Sequence, residues 1–321
     1  MEKFNCLLKN FLQYVTVETG GINNSLKYII FSNQRKDIFV PILYKEFRVL
    51  KKSWWYRLIE APIPILKSLQ KNLLLILYKV FTLPEFITAF RPFYSLKDNA
   101  KFHVKKKYII KIDLKNFFHY VTNKKIEEYF SSLNYNKAEI DKLLSIITYK
   151  WRLPQGAPTS PFISNLIFLK VDEVIINLLA HYLKNWFDYT RYADDIAIST
   201  NNDKIFSLLD IIIEEIIPLY WYKVNKNKVK ILKQWQRQIV TGLVVNEKVS
   251  IPRYKYDLIK AMTFNFIFKG KGEERVINWH LGFLKSVDKE RYNKLKEKIS
   301  VKVKKYGNDD IVKRYRILFR I

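Results

Sequence analysis

The chain has 321 residues, 49% of them hydrophobic, with 8 Gly and 10 Pro, so it can bury a sizeable core and is neither collagenous nor disordered. Its 57 Lys and Arg against 30 Asp and Glu give a net charge of +27, which favours a nucleic-acid partner, with an anionic membrane surface as the main competitor. The one cysteine, Cys6, cannot form an internal disulfide, and the longest apolar run, 73–78, is too short to span a bilayer, so we expect a cytoplasmic protein without a membrane partner.

The hydrophobic pattern predicts a mixed α+β chain whose parts are interlocked, because no linker separates them. Helical spacing predicts an N-terminal helical extension over 1–34 and helices over 65–81, 123–132, 137–150, 161–183 and 203–217, followed by basic helices from 254 onward. β-rich runs predict strands within 43–60, over 107–112, within 188–200 and near 222–232 and 238–252.

Three carboxylates follow or join predicted strands. Asp113 ends the run 107–112, and Asp194 and Asp195 occupy the tip of the hairpin within 188–200. Phosphoryl transfer uses two hard divalent cations held by carboxylate oxygens on stiff elements, and the carbonyl of Leu114 can face the same metal. Because adjacent strand residues point to opposite faces, we expect Asp194 to be the principal ligand with Asp113, and Asp195 to be second in rank.

Each carboxylate also has an ordinary interpretation. An Asp-Asp pair is common in turns, and a lone Asp such as Asp113 is often a helix cap. The apolar strand on each side of Asp194 and Asp195 favours the metal interpretation, because such a pair is costly there without cations.

Ordered motifs across most of the chain resemble those of the reverse transcriptase family. They are Ile112-Asp113-Leu114-Lys115-Asn116-Phe117-Phe118, Leu153-Pro154-Gln155-Gly156-Ala157-Pro158-Thr159-Ser160-Pro161, Arg191-Tyr192-Ala193-Asp194-Asp195 and Asn225-Lys226-Asn227-Lys228. The resemblance implies a right-hand polymerase with an antiparallel palm sheet packed on helices. It also implies interleaved fingers and palm over 35–250 and a helical, RNA-binding thumb over 251–321.

Two further runs resemble the bacterial retron branch of that family: Asn99-Ala100-Lys101-Phe102-His103 and Val240-Thr241-Gly242. The resemblance implies an RNA-directed DNA polymerase that uses two Mg²⁺ and extends a guanosine 2′-hydroxyl of a structured noncoding RNA. The product is branched RNA-linked single-stranded DNA (msDNA), in an anti-phage system with a separately encoded effector protein. For Asn99, Ala100, His103, Val240, Thr241 and Gly242 it implies RNA docking or shaping of the palm.

The resemblance also implies a deoxynucleotide site. Phe118 would exclude a 2′-hydroxyl, Gln155 and Gly156 would approach the nucleotide, and Lys228 would protonate or screen the leaving pyrophosphate. Arg57, with Lys51 or Lys52, would hold the triphosphate. Core packing is the alternative for Phe118, a simple turn for Gln155 and Gly156, and a solvated surface charge for any single lysine.

The chain departs from the family pattern in places, and two rival functions stay open. Val229 follows Lys228 where the family has Thr, and Ala89 precedes Phe90 where a glycine is expected. The first rival is another bacterial reverse transcriptase, of the intron-encoded or protein-primed antiviral type. The second is a catalytically idle RNA-binding scaffold, against which the three aspartates argue.

Overall fold

The computed structural model describes residues 7–11, 43–50 and 56–319. Residues 7–11 are helical, and the remainder of the predicted N-terminal extension lies outside the described residues. Lys51 and Lys52, the predicted partners of Arg57, also lie outside them.

The strands form three small sheets. β1 (Tyr44–Leu50) and β2 (Tyr56–Pro62) pair antiparallel, with Tyr44 opposite Pro62 and Leu50 opposite Tyr56. A four-stranded sheet has the order β4-β5-β3-β6, from β3 (Tyr108–Asp113), β4 (Phe187–Tyr192), β5 (Asp195–Thr200) and β6 (Lys230–Lys233). A short hairpin pairs β7 (Ile239–Val240) with β8 (Leu243–Val244).

Helices make up most of the rest of the described chain. They are α1 (Pro64–Val80), α2 (Leu96–Lys101), α3 (Asn123–Ser132), α4 (Lys137–Ile147), α5 (Ser160–Leu183), α6 (Ile205–Asp210), α7 (Ile217–Leu219), α8 (Arg253–Lys269), α9 (Glu274–Val287), α10 (Lys289–Tyr306) and α11 (Asp309–Phe319). A π-helical turn, Ile211–Ile216, joins α6 to α7. Within the described ranges, no helix is long and apolar enough to cross a membrane.

The predicted strands near 222–232 and 238–252 are largely wrong. Residues 226–228 form a 3₁₀ turn, and only β6, β7 and β8 are extended strands there. The backbone before β6 is hydrogen-bonded to the segment after β3 instead: Lys115 N–H donates to Lys223 O, and Asn225 N–H donates to Asp113 O. β-rich composition does not distinguish such tertiary hydrogen bonds from a regular ladder.

Helix α2 was not predicted, although it begins with a local signal. The Ser95 hydroxyl accepts a hydrogen bond from the Asp98 N–H, and the Asp98 carboxylate accepts one from the Ser95 N–H. This reciprocal capping box satisfies two backbone donors that would otherwise lack partners at the helix start. It stabilises a helix of only six residues.

The chain divides into two compact units. Unit 1 contains residues 1–94, 111–196 and 202–229, and unit 2 contains residues 95–110, 197–201 and 230–321. Unit 2 has its own apolar core, which includes Val240, Ile259, Leu284 and Ile299. The segments of the two units alternate along the chain, and the C-terminal helices share unit 2 with residues 95–110 and 197–201. The fingers, palm and thumb bounds stay predictions.

Candidate active site

Most of the predicted metal and nucleotide-binding residues line one cavity of about 290 Å³ in unit 1, whereas Asp195 and Gly156 are not part of its lining. Its lining includes Arg57, Asp113, Leu114, Phe118, Gln155, Asp194 and Lys228. Gly156 follows Gln155 directly, and Asp195 follows Asp194. The structure therefore brings together residues from five separate stretches of the sequence.

The hairpin of β4 and β5 presents Asp194 at its tip. Ala193 has a φ of 58°, a left-handed conformation that turns the chain sharply between the two strands. The Leu114 N–H donates a 3.0 Å hydrogen bond to Asp194 O, so the residue after Asp113 is tied to the tip of the hairpin. The backbone thus fixes Asp113 beside Asp194, while the side chain of Leu114 is buried.

The carboxylates of this site repel one another. Partial burial and the neighbouring Asp195 and Asp113 raise the pKa of Asp194. Burial also raises the pKa of Asp195, and the nearby Lys111 opposes that shift. Such repulsion is relieved by a cation, which makes the arrangement suitable for a hard divalent metal.

The ammonium of Lys228 supplies positive charge beside the carboxylate of Asp113. Its Nζ lies 2.9 and 3.1 Å from the two carboxylate oxygens of Asp113, and this hydrogen bond raises the pKa of Lys228. No three His, Cys, Asp or Glu side chains of the described ranges lie close enough together to hold a metal ion as they stand. The oxygen donors nevertheless fit such an ion, which would take over the charge that Lys228 now balances on Asp113.

A buried ion pair positions the predicted nucleotide-binding residues. The fully buried Glu60, on β2, accepts two 2.8 Å hydrogen bonds from the guanidinium of Arg152. The Glu60 N–H also donates to Gln155 O at 2.9 Å. Arg57 on β2 and Gln155 in the turn are therefore held in register by Glu60, which was not among the predicted site residues.

Gly156 occupies a position that other residues would not fit. Its φ is 143°, and a Cβ built there would lie 2.9 Å from Glu60 O. Glycine lets the turn approach β2 this closely.

Phe118 and the preceding Phe117 have different environments. Phe117 is buried, and its ring centroid lies 5.5 Å from that of Phe168. Phe118 is half-buried and lines the cavity, with its ring centroid 5.8 Å from that of Phe117. The core thus anchors one ring, and the next ring faces the cavity, which is where a ring that excludes a 2′-hydroxyl would have to be.

Beneath the hairpin lies a fully buried arginine, Arg191. Its guanidinium donates to both carboxylate oxygens of Asp172 at 2.7 to 3.0 Å, to Asn165 Oδ1 at 2.8 Å and to Ala193 O at 3.3 Å. The Tyr189 hydroxyl donates to Asp172 at 2.6 Å. Helix α5 and the hairpin are therefore joined by one hydrogen-bonded network.

The sequence did contain a signal for this network. Asn165 and Asp172 are polar residues seven positions apart, so they share one face of α5, and apolar residues surround them on that face. Arg191 precedes the hairpin motif in a strand whose residues 189–191 are all buried. A carboxylate and a guanidinium that are both predicted to be buried should have been paired.

Comparison with known proteins gives consistent results. A family model described as reverse transcriptase (RNA-dependent DNA polymerase) matches residues 49–253. The chain is 36% identical over 276 residues to the Retron Ec86 reverse transcriptase of Escherichia coli, covering 84% of each chain. It is 29% identical over 292 residues to the Retron Ec83 reverse transcriptase of Escherichia coli, covering 85% of this chain and 90% of that one.

The chain belongs to the retron reverse transcriptase family. It is thus an RNA-directed DNA polymerase that binds an RNA template, and its family uses divalent metal ions.

Solved structures show the same fold as this reverse transcriptase. Telomerase from Candida albicans, in a complex with a fragment of telomeric RNA, aligns with a TM-score of 0.52 and 14% identity, covering 86% of this chain and 60% of that one. Apo telomerase from Candida tropicalis aligns with a TM-score of 0.53 and 9% identity, covering 88% and 64%. The chain spans less than two thirds of either telomerase, and the shared part is the α+β right-hand polymerase fold predicted from the motifs.

The two runs typical of retron reverse transcriptases meet inside unit 2. Asn99 Nδ2 donates to Thr241 Oγ1 at 3.4 Å, and Thr241 Oγ1 donates to Leu96 O at 3.3 Å. His103 Nδ1 and Ser199 Oγ share a 2.8 Å hydrogen bond. Burial lowers the pKa of His103 to about 3, so its imidazole is neutral at physiological pH.

Burial changes the interpretation of these runs. The side chains of Asn99, Ala100, His103 and Val240 are at most 1% exposed, so they are not placed to contact RNA directly and instead brace the interior of unit 2. Of the two expected roles, this burial favours shaping of the palm over RNA docking for those four. For the half-exposed Thr241 and the exposed Gly242, RNA contact stays a prediction.

Disrupting the network under the hairpin should weaken both folding and catalysis. In Asp172→Asn, Arg191 would keep a buried charge without its carboxylate, which we expect to lower the free energy of unfolding by about 3 kcal/mol. The rate of primer extension should fall by more than the fraction of folded protein does, because the hairpin that carries Asp194 loses the hydrogen-bonded network that holds it. Urea unfolding and single-turnover extension measure the two effects.

An exposed ion pair provides the matched control for that substitution. Asp141, which pairs with Lys137 on the surface of α4, should tolerate Asp141→Asn within about 0.5 kcal/mol. Wild-type stability and extension rate in Asp172→Asn would contradict the assigned role.

Proposed function

We propose that this reverse transcriptase copies a structured noncoding RNA, starting from the 2′-hydroxyl of a guanosine within that RNA. The product is branched msDNA, in which DNA is linked to the RNA. The main support is the cavity that joins Asp113, Asp194, Phe118 and Lys228, in a chain that is 36% identical to a retron reverse transcriptase over 84% of both chains.

The residues of the cavity have complementary roles in this reaction. Arg57 binds the triphosphate, for which a guanidinium offers paired hydrogen bonds. Gln155 hydrogen-bonds the sugar or base, and Phe118 excludes a ribose 2′-hydroxyl by its bulk. Lys228 donates a proton to the leaving pyrophosphate, a role supported by its protonated state beside Asp113.

We assign the divalent ions of this site as two Mg²⁺ held by Asp113, Asp194 and Asp195, with Asp194 the principal partner of Asp113. Bound there, the ions would neutralise the triphosphate and lower the pKa of the primer hydroxyl. The assignment is supported by the choice of hard oxygen donors and by the mutual repulsion of the three carboxylates.

The partners we propose are the structured noncoding RNA, its msDNA product and a separately encoded effector of an anti-phage defence system. The net charge of +27 supports tight retention of the RNA and of the RNA-linked DNA. Retention of the product would let its presence be sensed by the effector.

The priming reaction can be tested directly. Purified protein, its own noncoding RNA, Mg²⁺ and deoxynucleotides should yield DNA that stays attached to RNA and is released by a 2′,5′ debranching enzyme. Asp194→Asn should abolish the product, because the substitution removes a charged ligand while keeping its shape. Extension of a linear primer without any branched product would contradict 2′-hydroxyl priming but leave the polymerase intact.

Phe118 provides a separate test of substrate choice. Phe118→Ala should incorporate ribonucleotides at least about 10-fold more efficiently relative to deoxynucleotides, because removing the ring opens space for the 2′-hydroxyl; a factor of 10 corresponds to about 1.4 kcal/mol. Competing incorporation of dCTP and CTP on one template measures the ratio. Phe90→Ala, at an exposed ring that does not line the cavity, is the control, and an unchanged ratio in Phe118→Ala would leave only a packing role for Phe118.

A further inference from the structure

A second, larger cavity of about 630 Å³ lies in unit 1 and shares no residue with the catalytic cavity. Residues from α3, α5 and the segment 219–222 line it. Its volume is within the range of known small-ligand sites, which is about 300 to 1,000 Å³. Nothing in the polymerase reaction described above uses it.

The cavity lining is rich in positive charge. Lys124, Lys125 and Lys170 line it, against a single carboxylate, Glu128. Glu128 is already 4.0 Å from Lys124 on the exposed side of α3. The cavity is therefore complementary to an anion.

The ammonium of Lys125 in particular is shielded from solvent. Its Nζ is buried, with no hydrogen-bond acceptor in the part of the chain that the structure describes, and it lies 3.6 Å from the centroid of the Tyr222 ring. Burial lowers its pKa to about 8. The hydroxyl of Tyr222 is also buried without a hydrogen-bond partner among the described residues.

The start of helix α3 adds to this positive potential. Its first turn carries Lys124 and Lys125 and no acidic residue, and Thr122 makes no side-chain cap. The positive end of a helix dipole disfavours cations, so this turn would be stabilised by a bound anion. This observation is independent of the burial of Lys125.

Aromatic residues also line the cavity. Tyr120, Tyr129, Tyr220, Trp221 and Tyr222 line it, and the side chain of Trp221 is 79% exposed. Trp221 also has a φ of 59°, a conformation that is costly for a bulky residue. A large ring held at the surface beside lysines is suited to stack on a nucleobase.

We propose that this cavity binds an unpaired nucleotide of an RNA strand, with the base stacked on Trp221 and a phosphate held by Lys125. Lys124 and Lys170 are exposed, so they can hold neighbouring phosphates, which favours a nucleotide within a strand over a free mononucleotide. The site lies outside the catalytic cavity and does not depend on 2′-hydroxyl priming.

Photocrosslinking tests this assignment. The purified protein is irradiated with a single-stranded RNA oligonucleotide that contains 4-thiouridine, and the crosslinked residues are mapped by mass spectrometry. We expect crosslinks at Trp221 or Tyr220. Trp221→Ala should weaken crosslinking there by about 5- to 100-fold, the range of a lost base stack, and Lys125→Met should weaken it while keeping the length of the side chain.

Matched controls separate this site from the catalytic cavity and from misfolding. Trp186→Ala removes another exposed tryptophan of unit 1 outside the cavity, and Lys204→Met removes another exposed lysine; neither should change the crosslink. All four variants should extend a linear primer on an RNA template at the wild-type rate. That readout also distinguishes failure of this site from failure of the polymerase.

Three outcomes would overturn the proposal. One is crosslinking elsewhere alone, with Trp221→Ala and Lys125→Met unaffected. Another is AMP displacing the strand completely at equal concentration, which would assign the cavity to a free nucleotide. The third is unchanged RNA crosslinking in Trp221→Ala and Lys125→Met together with loss of binding to a purified effector protein. That result would assign the surface to a protein partner.

Discussion

The buried guanidinium of Arg191 constrains the catalytic half of the molecule more than any other group. Removing a charge of this kind from water costs several kcal/mol unless it is fully paired and hydrogen-bonded. Here Asp172, Asn165 and the Ala193 carbonyl accept its hydrogen bonds, and the ring of Phe168 lies 4.8 Å away. Since these partners come from α5 and from the hairpin, satisfying one buried charge fixes the two elements together.

The strand around Arg191 extends that constraint to a third segment. Arg191 N–H donates to Phe86 O, and Arg191 O accepts from Thr88 N–H. Asn165 Nδ2 donates in turn to Ala89 O at 2.9 Å. The tip that carries Asp194 is therefore supported from both sides, as a metal site on stiff elements requires.

The buried carboxylate of Glu60 has a similar structural role beside the proposed nucleotide-binding residues. Glu60, paired with Arg152, joins β2 to the turn that contains Gln155 and Gly156. The two ion pairs cost desolvation, but each orders a different part of one site. What remains mutually repulsive is the set of three aspartates, partly balanced by Lys228, which is the electrostatic condition for binding divalent cations.

The candidate metal ligands could be chosen from the sequence because chemistry limits their identity. A hard cation requires carboxylates such as Asp113 and Asp194, and the apolar patterns of their strands predicted most of the elements that carry them. The support was harder to predict. The apolar surroundings of Asp172 and Arg191 indicate that each needs a partner, but no comparable pattern in the sequence indicates that Glu60 meets Arg152.

The retron-type runs illustrate the same limit. Asn99 and Thr241 are 142 residues apart in the chain and meet only in the folded unit. Their motifs predicted either RNA docking or shaping of the palm, and the burial of Asn99 and His103 favours the second. Strand predictions failed between residues 222 and 229 for a related reason, because hydrogen bonds to the segment after β3 replace a regular ladder there.

The most direct test of this account is the position of a bound metal. Crystals soaked with Mn²⁺ should show an anomalous peak within coordination distance of carboxylate oxygens of both Asp113 and Asp194, with Lys228 moved off Asp113 and the Arg191 network unchanged. A peak that contacts Asp195 and Asp113 without Asp194, or no peak near Asp113 at a Mn²⁺ concentration that supports synthesis, would contradict it.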